Sequence, residues 1–202
     1  GFGGPCFPRD NRAVARLGQL CNIDTGLSET TDRLNRKEVN HLAKIVLDKL
    51  PKNGSVGILG LSYKPDTDVV EEAQGFLLAQ HLAKHGHTVN TFDSIASENA
   101  QNVLAKNNAQ GIENIYFFDS VQQCVKQSDV VVIMLPNKEY MSILHVLNGD
   151  RRRVIIDCWR ILNRHRVEQE AEYVGLGYGP VPSSSREKEM ARTGTRESYH
   201  LV

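Results

Sequence analysis

The sequence predicts an α/β protein in which a helical segment is followed by a doubly wound parallel sheet. Six short apolar runs alternate with stretches of helical periodicity, which is typical of parallel strands joined by crossover helices. Ahead of these runs, in residues 1–52, apolar residues recur only at helical spacing. Together these observations indicate a Rossmann-like domain preceded by a helical segment.

Two helices are predicted before the sheet. Residues 10–21 form the first, whose apolar positions are Ala13, Val14, Leu17, Leu20 and Cys21. After Gly26, residues 28–50 form the second, with Val39, Leu42, Val46 and Leu50 on one face and Leu34 and Ile45 beside it. Because this helix is longer than most globular helices, we expect it to bridge domains or meet a second subunit rather than lie on a small sheet.

A Pro-Lys-Asn-Gly turn at residues 51–54 marks the domain boundary. The predicted strands beyond it are residues 55–61, 88–92, 115–118, 129–135, 154–157 and 171–174. Residues 1–52 therefore form the helical segment and residues 53–176 the sheet domain. Residues 177–202 are predicted to be a flexible tail, because their polar composition cannot bury enough apolar area.

Composition excludes several classes of partner. The chain has 202 residues, with 24 basic and 24 acidic side chains, so its net charge favours binding to neither nucleic acid nor an anionic membrane.

The four cysteines are widely spaced and match neither a metal-ligand nor a disulfide pattern, so we expect a reducing, cytoplasmic location. Because His81, His85 and His87 also have no further ligands nearby, we expect no bound metal. The chain has no apolar stretch of membrane-spanning length.

The opening run Gly-Phe-Gly-Gly-Pro-Cys-Phe-Pro-Arg-Asp is the strongest candidate site. Its glycines permit a tight turn, and Pro8 favours a helix start that would place Asp10 in the first turn. Cys6 would then lie at a helix N-terminus, where the dipole favours a thiolate nucleophile. The alternative is that Cys6 is a small apolar core residue.

Two strand ends offer further candidates. The turn after the first strand has Gly57 and Gly60 but no third glycine, so a dinucleotide in the usual mode is disfavoured. Tyr63 and Lys64 occupy the turn, and Lys64 could meet an anionic ligand at the carboxyl end of the sheet. After strand 154–157, Arg160 could hold a phosphate in forked geometry. Solvated side chains are the alternative for both cations.

Two neighbouring features are given structural interpretations. Trp159 is interpreted as a packing residue rather than a stacking platform. The run of arginines at residues 151–153 is interpreted as a solvated turn.

Three motifs resemble the UDP-glucose/GDP-mannose dehydrogenase family. They are the opening glycine-cysteine run, residues 60–68 (Gly-Leu-Ser-Tyr-Lys-Pro-Asp-Thr-Asp) and residues 154–160 (Val-Ile-Ile-Asp-Cys-Trp-Arg). The resemblance covers nearly the whole chain and implies a central dimerising helical segment, hence a homodimer, and a C-terminal nucleotide-sugar domain. It also implies that the family's N-terminal NAD-binding domain is absent, so the chain is expected to be an inactive piece of a longer protein.

The resemblance implies an NAD-dependent oxidation of the sugar C6 hydroxymethyl to a carboxylate, with UDP-glucose converted to UDP-glucuronate and NAD bound mainly by the absent domain. Cys6 would form a thiohemiacetal and then a thioester, and Asp10 would orient or activate the hydrolytic water. The remaining implied contacts are Phe2 and Gly3 with the sugar, Tyr63 and Lys64 with the nucleotide-sugar, Arg160 with the phosphate, and Cys6 and Arg9 with the cofactor.

The chain differs from the family's motif at one place, and one alternative substrate and two alternative functions remain open. Where the family has Arg-Glu-Ser, this chain has Glu71-Glu72-Ala73, and Glu71 should weaken dinucleotide binding by reversing a charge. GDP-mannose is a second possible substrate. A non-catalytic nucleotide-sugar-binding and dimerising module is a second function. An unrelated Rossmann oxidoreductase is a third, and it predicts a complete glycine fingerprint.

Overall fold

The computed structural model describes residues 1–148 and 152–177, so the predicted tail lies outside the described residues except for Gly177. The described residues form six strands and six α-helices, with short 3-10 helices at Ile112–Asn114 and Lys138–His145. The strands are β1 (Ser55–Leu59), β2 (Thr88–Phe92), β3 (Ile115–Phe117), β4 (Val130–Ile133), β5 (Val154–Asp157) and β6 (Glu172–Gly175). The helices are α1 (Phe7–Cys21), α2 (Gly26–Lys49), α3 (Gln74–Lys84), α4 (Ser97–Lys106), α5 (Val121–Lys126) and α6 (Arg164–Glu168).

The strands form one parallel sheet in the order β3-β2-β1-β4-β5-β6, which confirms the predicted fold class. β1 pairs with β2 on one side and with β4 on the other. From β1 the chain builds one half of the sheet outward, then crosses back to β4 and builds the other half. The loops after β1 and β4 therefore diverge, and ligands of such sheets bind where they part.

Both faces of the sheet are covered, as a parallel sheet requires. In β4, Val130 and Val132 join the core formed with α2, α3 and α4. Val131 and Ile133 point to the opposite face and join the core formed with α5 and the helix Lys138–His145. The period-2 alternation thus divides the interior into two cores, one on each side of the sheet.

The C-terminal half of α2 packs on the sheet. The expectation that this helix bridges domains or meets a second subunit is therefore wrong for that half. Val39, Leu42 and Val46 are buried in the same core as α3 and β1. The N-terminal half instead packs against α1 and leaves Leu27 and Leu34 exposed. One end of α2 is therefore anchored on the sheet domain while the other carries α1 beyond it.

Arg153 is buried, which corrects its interpretation as part of a solvated turn. Its Nε donates to the carbonyl oxygen of Val125 at 3.0 Å and its Nη2 to that of Lys126 at 3.2 Å. These carbonyls lie at the C-terminal end of α5, where a cation complements the helix dipole. Arg152 is exposed, and Arg151 lies outside the described residues.

Within the described residues, every helix is too short or too polar to cross a lipid bilayer.

Candidate functional site

A cleft of about 410 Å³ opens at the carboxyl ends of β1, β4 and β5. Its position is the topological switch point, where open α/β sheets bind their ligands. The residues that line it come from the loops after these strands, from the start of α3, from α2, from the end of β6 and from the opening loop. They are Gly1, Gly3, Glu38, His41, Leu42, Ser62, Tyr63, Gln74, Gly75, Met134, Leu135, Cys158, Trp159, Arg160 and Leu176.

The opening loop is held in place by Asn35, a residue of α2 that is only 7% exposed. The backbone N–H of Phe2 donates to Asn35 Oδ1 at 2.7 Å, and Asn35 Nδ2 donates to the Phe2 carbonyl at 2.9 Å. Gln74 Nε2 donates to the same carbonyl at 3.1 Å. Asn35 was not predicted, although its position one turn before Val39, on the apolar face of α2, is a signal that could have revealed it.

Contact between Gly4 and Tyr63 brings two of the predicted motifs together. Gly4 has φ +85°, and a Cβ at this position would lie 2.6 Å from the Tyr63 ring. Its N–H donates to the carbonyl of Glu71 at 2.8 Å. Only glycine allows this close approach in this conformation. Gly3 and Tyr63 line the cleft, so the loop that carries Cys6 lies at its rim.

Cys6 is exposed and immediately precedes α1, which starts at Phe7 rather than at the predicted residue 10. Asp10 lies one turn further on, and its N–H donates to the Cys6 carbonyl at 2.8 Å. Its carboxylate accepts a hydrogen bond from Arg9 Nε at 2.8 Å, which raises the pKa of Arg9. A thiol, a carboxylate and a guanidinium thus share the first turn of one helix.

The other cysteines occupy different surroundings. Burial raises the pKa of both Cys124 and Cys158 to about 12, so both remain protonated at neutral pH. Cys21 is exposed but lies at the opposite end of α1. All four are free thiols. Cys6 is therefore the exposed cysteine that stands at a helix N-terminus.

Asp93, at the carboxyl end of β2, is a positioning residue that was not predicted. Its Oδ2 accepts from the N–H groups of Leu61 and Ser62 at 2.8 and 3.2 Å, and its Oδ1 accepts from Ile95 and Ala96 at 3.0 and 2.9 Å. In dinucleotide-binding domains an acid at this point bonds the ribose. Here it fixes the loop that leads to Tyr63, so the sheet domain does not fit a dinucleotide in that mode.

The expectation that the third glycine of a dinucleotide-binding fingerprint is missing is partly wrong, because Gly75 fills its packing role. It is the second residue of α3, and a Cβ on it would overlap the carbonyl oxygen of Gly60 in the turn after β1. Gly75 therefore allows the close helix–strand packing that the third fingerprint glycine provides. The long loop between β1 and α3 separates it from the glycines before it.

The loop after β5 is organised by Asp157, which is fully buried. Its carboxylate accepts from the N–H of Trp159 at 3.2 Å, from the N–H of Leu162 at 2.9 Å and from the hydroxyl of Tyr173 at 3.2 Å. Arg160 lines the cleft with a left-handed backbone, φ +55°. The structure thus places Arg160 in the lining of the switch-point cleft, and its contact with a phosphate stays a prediction.

Other candidates lie outside the cleft lining. Lys64 is exposed, with its Nζ 5.4 Å from the Tyr63 ring centroid. Phe2 packs edge-to-face on Phe7 at 6.0 Å. The side chain of Glu71 is exposed, while Glu72 pairs with Arg12 at 3.2 Å. The segment that differs from the family pattern therefore braces α1 and the opening loop.

The rings of His81 and His85 lie 4.6 Å apart near the end of α3. Across residues 1–148 and 152–177, no group of three or more His, Cys, Asp or Glu side chains is placed to hold a metal ion. A more open groove of about 530 Å³ runs along α2 and α3 past His81, and none of the predicted site residues lines it.

These features define a domain of the doubly wound α/β class, with a loop that carries an exposed thiol fixed at the rim of its switch-point cleft. The chain belongs to the UDP-glucose/GDP-mannose dehydrogenase family: residues 57–164, more than half of its length, match the family's UDP binding domain. The resemblance seen in the sequence motifs is thereby confirmed.

Individual relatives agree with this assignment. A UDP-glucose 6-dehydrogenase from Rickettsia bellii is 29% identical over 189 residues, covering 91% of this chain and 41% of the relative. The structure of a UDP-glucose dehydrogenase from Pyrobaculum islandicum has a TM-score of 0.69 at 27% identity, covering 89% of this chain and 38% of the other. A GDP-mannose dehydrogenase from Pseudomonas aeruginosa shares the fold, with a TM-score of 0.70 at 20% identity, covering 88% and 40%. The chain spans about two-fifths of the length of these relatives.

Proposed function

We propose that this chain is the C-terminal part of a cytoplasmic, NAD-dependent nucleotide-sugar dehydrogenase that oxidises the C6 hydroxymethyl of UDP-glucose to a carboxylate. The observation that carries the proposal is the contact of the Cys6 loop with Tyr63 at the rim of a cleft in a UDP binding domain. This contact supports the proposal because it brings the loop that carries the exposed Cys6 to the rim of the cleft.

In the proposed reaction, Cys6 Sγ attacks the carbonyl carbon of the sugar aldehyde formed by the first oxidation, and the oxygen takes up a proton to give a thiohemiacetal. Loss of a hydride and a proton converts this intermediate to a thioester. Water then attacks the thioester carbon, the C–S bond breaks, and the thiol and the uronate are released. Asp10, one helical turn from Cys6, would orient or deprotonate that water.

The proposed cofactor needs a second domain. NAD, when bound, would accept the hydrides, but the carboxylate of Asp93 is already occupied by backbone donors and the sheet domain does not fit a dinucleotide. We therefore propose that a segment outside this chain holds most of the cofactor, with Cys6 and Arg9 facing it. Without that segment this chain alone would not catalyse the oxidation.

The proposed substrate contacts divide between the opening loop, the turn after β1 and the loop after β5. Phe2 and Gly3 in the opening loop would contact the sugar, and Tyr63 with Lys64 would contact the nucleotide-sugar next to it. Arg160, across the cleft, would pair with the diphosphate through two N–H donors. This division follows from the position of the Cys6 loop at the Tyr63 side of the cleft.

Isothermal titration calorimetry tests the binding part of this proposal. UDP-glucose should bind the chain at least about 100-fold more tightly than NAD, because Arg160 lines the cleft and the turn after β1 lacks a dinucleotide fingerprint. Arg160→Ala should weaken UDP-glucose binding about tenfold through loss of a charge-assisted contact. Arg152→Ala, an exposed arginine near the opposite end of β5, is the matched control and should leave binding unchanged. Tight NAD binding would contradict the assignment, as would GDP-mannose binding better than UDP-glucose.

A second candidate function is a non-catalytic nucleotide-sugar-binding and dimerising module. The match of residues 57–164 to the family's UDP binding domain favours it, because this match concerns binding and not the Cys6 chemistry. It shares the binding prediction above but predicts no role for the Cys6 thiol.

We also propose that the chain dimerises through α1 and the N-terminal half of α2, where Leu17, Leu20, Leu27 and Leu34 are exposed. In sedimentation velocity the wild type should be a dimer, and Leu27→Glu with Leu34→Glu should be a monomer, since charges would be buried at the interface. Ile95→Glu, at a similarly exposed position in the sheet domain, should stay dimeric. A monomeric wild type, or a double variant that remains dimeric, would contradict this proposal.

A further inference from the structure

Trp159 differs from a packing residue, because 53% of it is exposed and it lines the switch-point cleft. It is the only tryptophan in the sequence. The two residues before it are less exposed, with Asp157 fully buried and Cys158 half-buried. A large indole left half open to a cleft, directly after a buried strand end, indicates a surface available for a ligand.

The ring is nevertheless held in a fixed position. Its Nε1 donates to the carbonyl oxygen of Met134 at 2.8 Å, at the end of β4. Its backbone N–H donates to Asp157 Oδ1 at 3.2 Å, and Asp157 is itself fixed by Leu162 and Tyr173. Hydrogen bonds thus hold both the edge of the indole and the backbone of Trp159. A ligand that stacks on the ring would therefore lose little binding free energy to ordering of this side chain.

The position of Trp159 in the cleft determines which part of a bound nucleotide-sugar would contact it. The Cys6 loop adjoins the cleft beside Tyr63, after β1, whereas Trp159 follows β5. β4 lies between these strands, so their ends are about 10 Å apart. A sugar placed for attack by Cys6 at the β1 side would therefore direct its diphosphate past the cleft centre and its base toward β5.

We propose that Trp159 is the stacking platform for the nucleobase of the nucleotide-sugar, with Arg160 beside it on the diphosphate. This inference rests on the proposed function, because the orientation of the ligand is taken from the role of Cys6. Stacking on an indole face is available to every base, so Trp159 sets the placement of the nucleotide. Because a free sugar phosphate has no base to stack, Trp159 would make the cleft bind nucleotide-linked sugars more tightly than free sugar phosphates.

The single tryptophan allows a direct test by fluorescence. Titration with UDP should quench the emission of the wild-type chain saturably, at the concentrations at which calorimetry shows binding. Glucose 1-phosphate, which has a phosphate and the sugar but no base, should leave the emission unchanged. Trp159→Leu should weaken UDP binding about tenfold, as expected for the loss of one stacked base.

Trp159→Phe is the matched variant, because it loses the same Nε1 hydrogen bond but keeps an aromatic face; it should retain most of the affinity. Circular dichroism melting curves identify any variant that fails to fold, and the wild-type fluorescence remains decisive in that case. The inference is overturned if UDP binds without quenching, if Trp159→Leu binds UDP as tightly as the wild type, or if glucose 1-phosphate quenches instead. Failure of the wild type to bind UDP at all would overturn the proposed function together with this inference.

Discussion

Replacement of Cys6 by serine, in a protein that also carries the proposed cofactor-binding segment, is expected to stop release of the uronate while leaving UDP-glucose binding intact. A serine hydroxyl is far less ionised than a thiol at neutral pH, and the leaving group of an ester is poorer than that of a thioester. Loss of a covalent nucleophile typically lowers the rate by three or more orders of magnitude. We expect UDP-glucuronate formation to fall by at least about 10³-fold, measured by chromatography of the products.

Cys21→Ser is the matched control, since Cys21 is also an exposed thiol of the same helix but lies at its other end. It should leave uronate production unchanged. Calorimetry with UDP-glucose should show the same affinity for both variants. Unchanged uronate production by Cys6→Ser would remove Cys6 from the mechanism, and an inactive wild-type protein that still binds UDP-glucose would establish the non-catalytic module.

The sheet could be predicted from the sequence because its strands are short apolar runs, and the central strands β1, β4 and β5 are buried on both faces. Predicted and observed bounds agree for β2 and β5; β6 is shifted by one residue, and the other strands are shorter than their apolar runs. The run predicted at 129–135 ends as a strand at Ile133, because Met134 and Leu135 leave the sheet to line the cleft. Apolar character alone does not separate a strand from the apolar wall that follows it.

The residues that shape the site were harder to predict because their partners are distant in sequence. Asp93 meets Leu61 and Ser62, and Asn35 meets Phe2, across more than thirty residues in each case. An Asp after a strand is equally compatible with a turn, a ligand contact or a solvated side chain. Only the fold decides which backbone N–H groups face it, so its role emerges from tertiary structure.

Gly75 shows how a local motif can be present but unrecognised. A dinucleotide fingerprint is identified by close spacing of its glycines, and here a long loop containing Tyr63 and Lys64 intervenes. The packing requirement at the start of α3 is nevertheless the same, because the helix meets the turn after β1 at the carbonyl of Gly60. The glycine needed for packing is thus separable from those that would bind a pyrophosphate.

Gly75→Ala is therefore expected to lower both stability and ligand affinity. The added methyl group would overlap the backbone oxygen of Gly60, which cannot rotate away as a flexible side chain could. Overpacking of this kind costs about 3 kcal/mol, equivalent to a decrease in Tm of about 10 °C in a domain of this size. The turn after β1 must also shift, which moves Tyr63 and should weaken UDP-glucose binding. Thermal unfolding by circular dichroism and calorimetric titration measure the two effects.

Gly26→Ala separates this steric effect from the general consequences of replacing a helical glycine. Gly26 is also in the first turn of a helix, but a Cβ on it would meet only a side-chain oxygen of Asp24 at 3.2 Å. Because alanine is the better helix former, that variant should be as stable as the wild type or slightly more so. Equal Tm values for Gly75→Ala and Gly26→Ala would show that α3 can move away from Gly60 without cost. In that case the position of Tyr63 would depend on Asp93 and the opening loop alone.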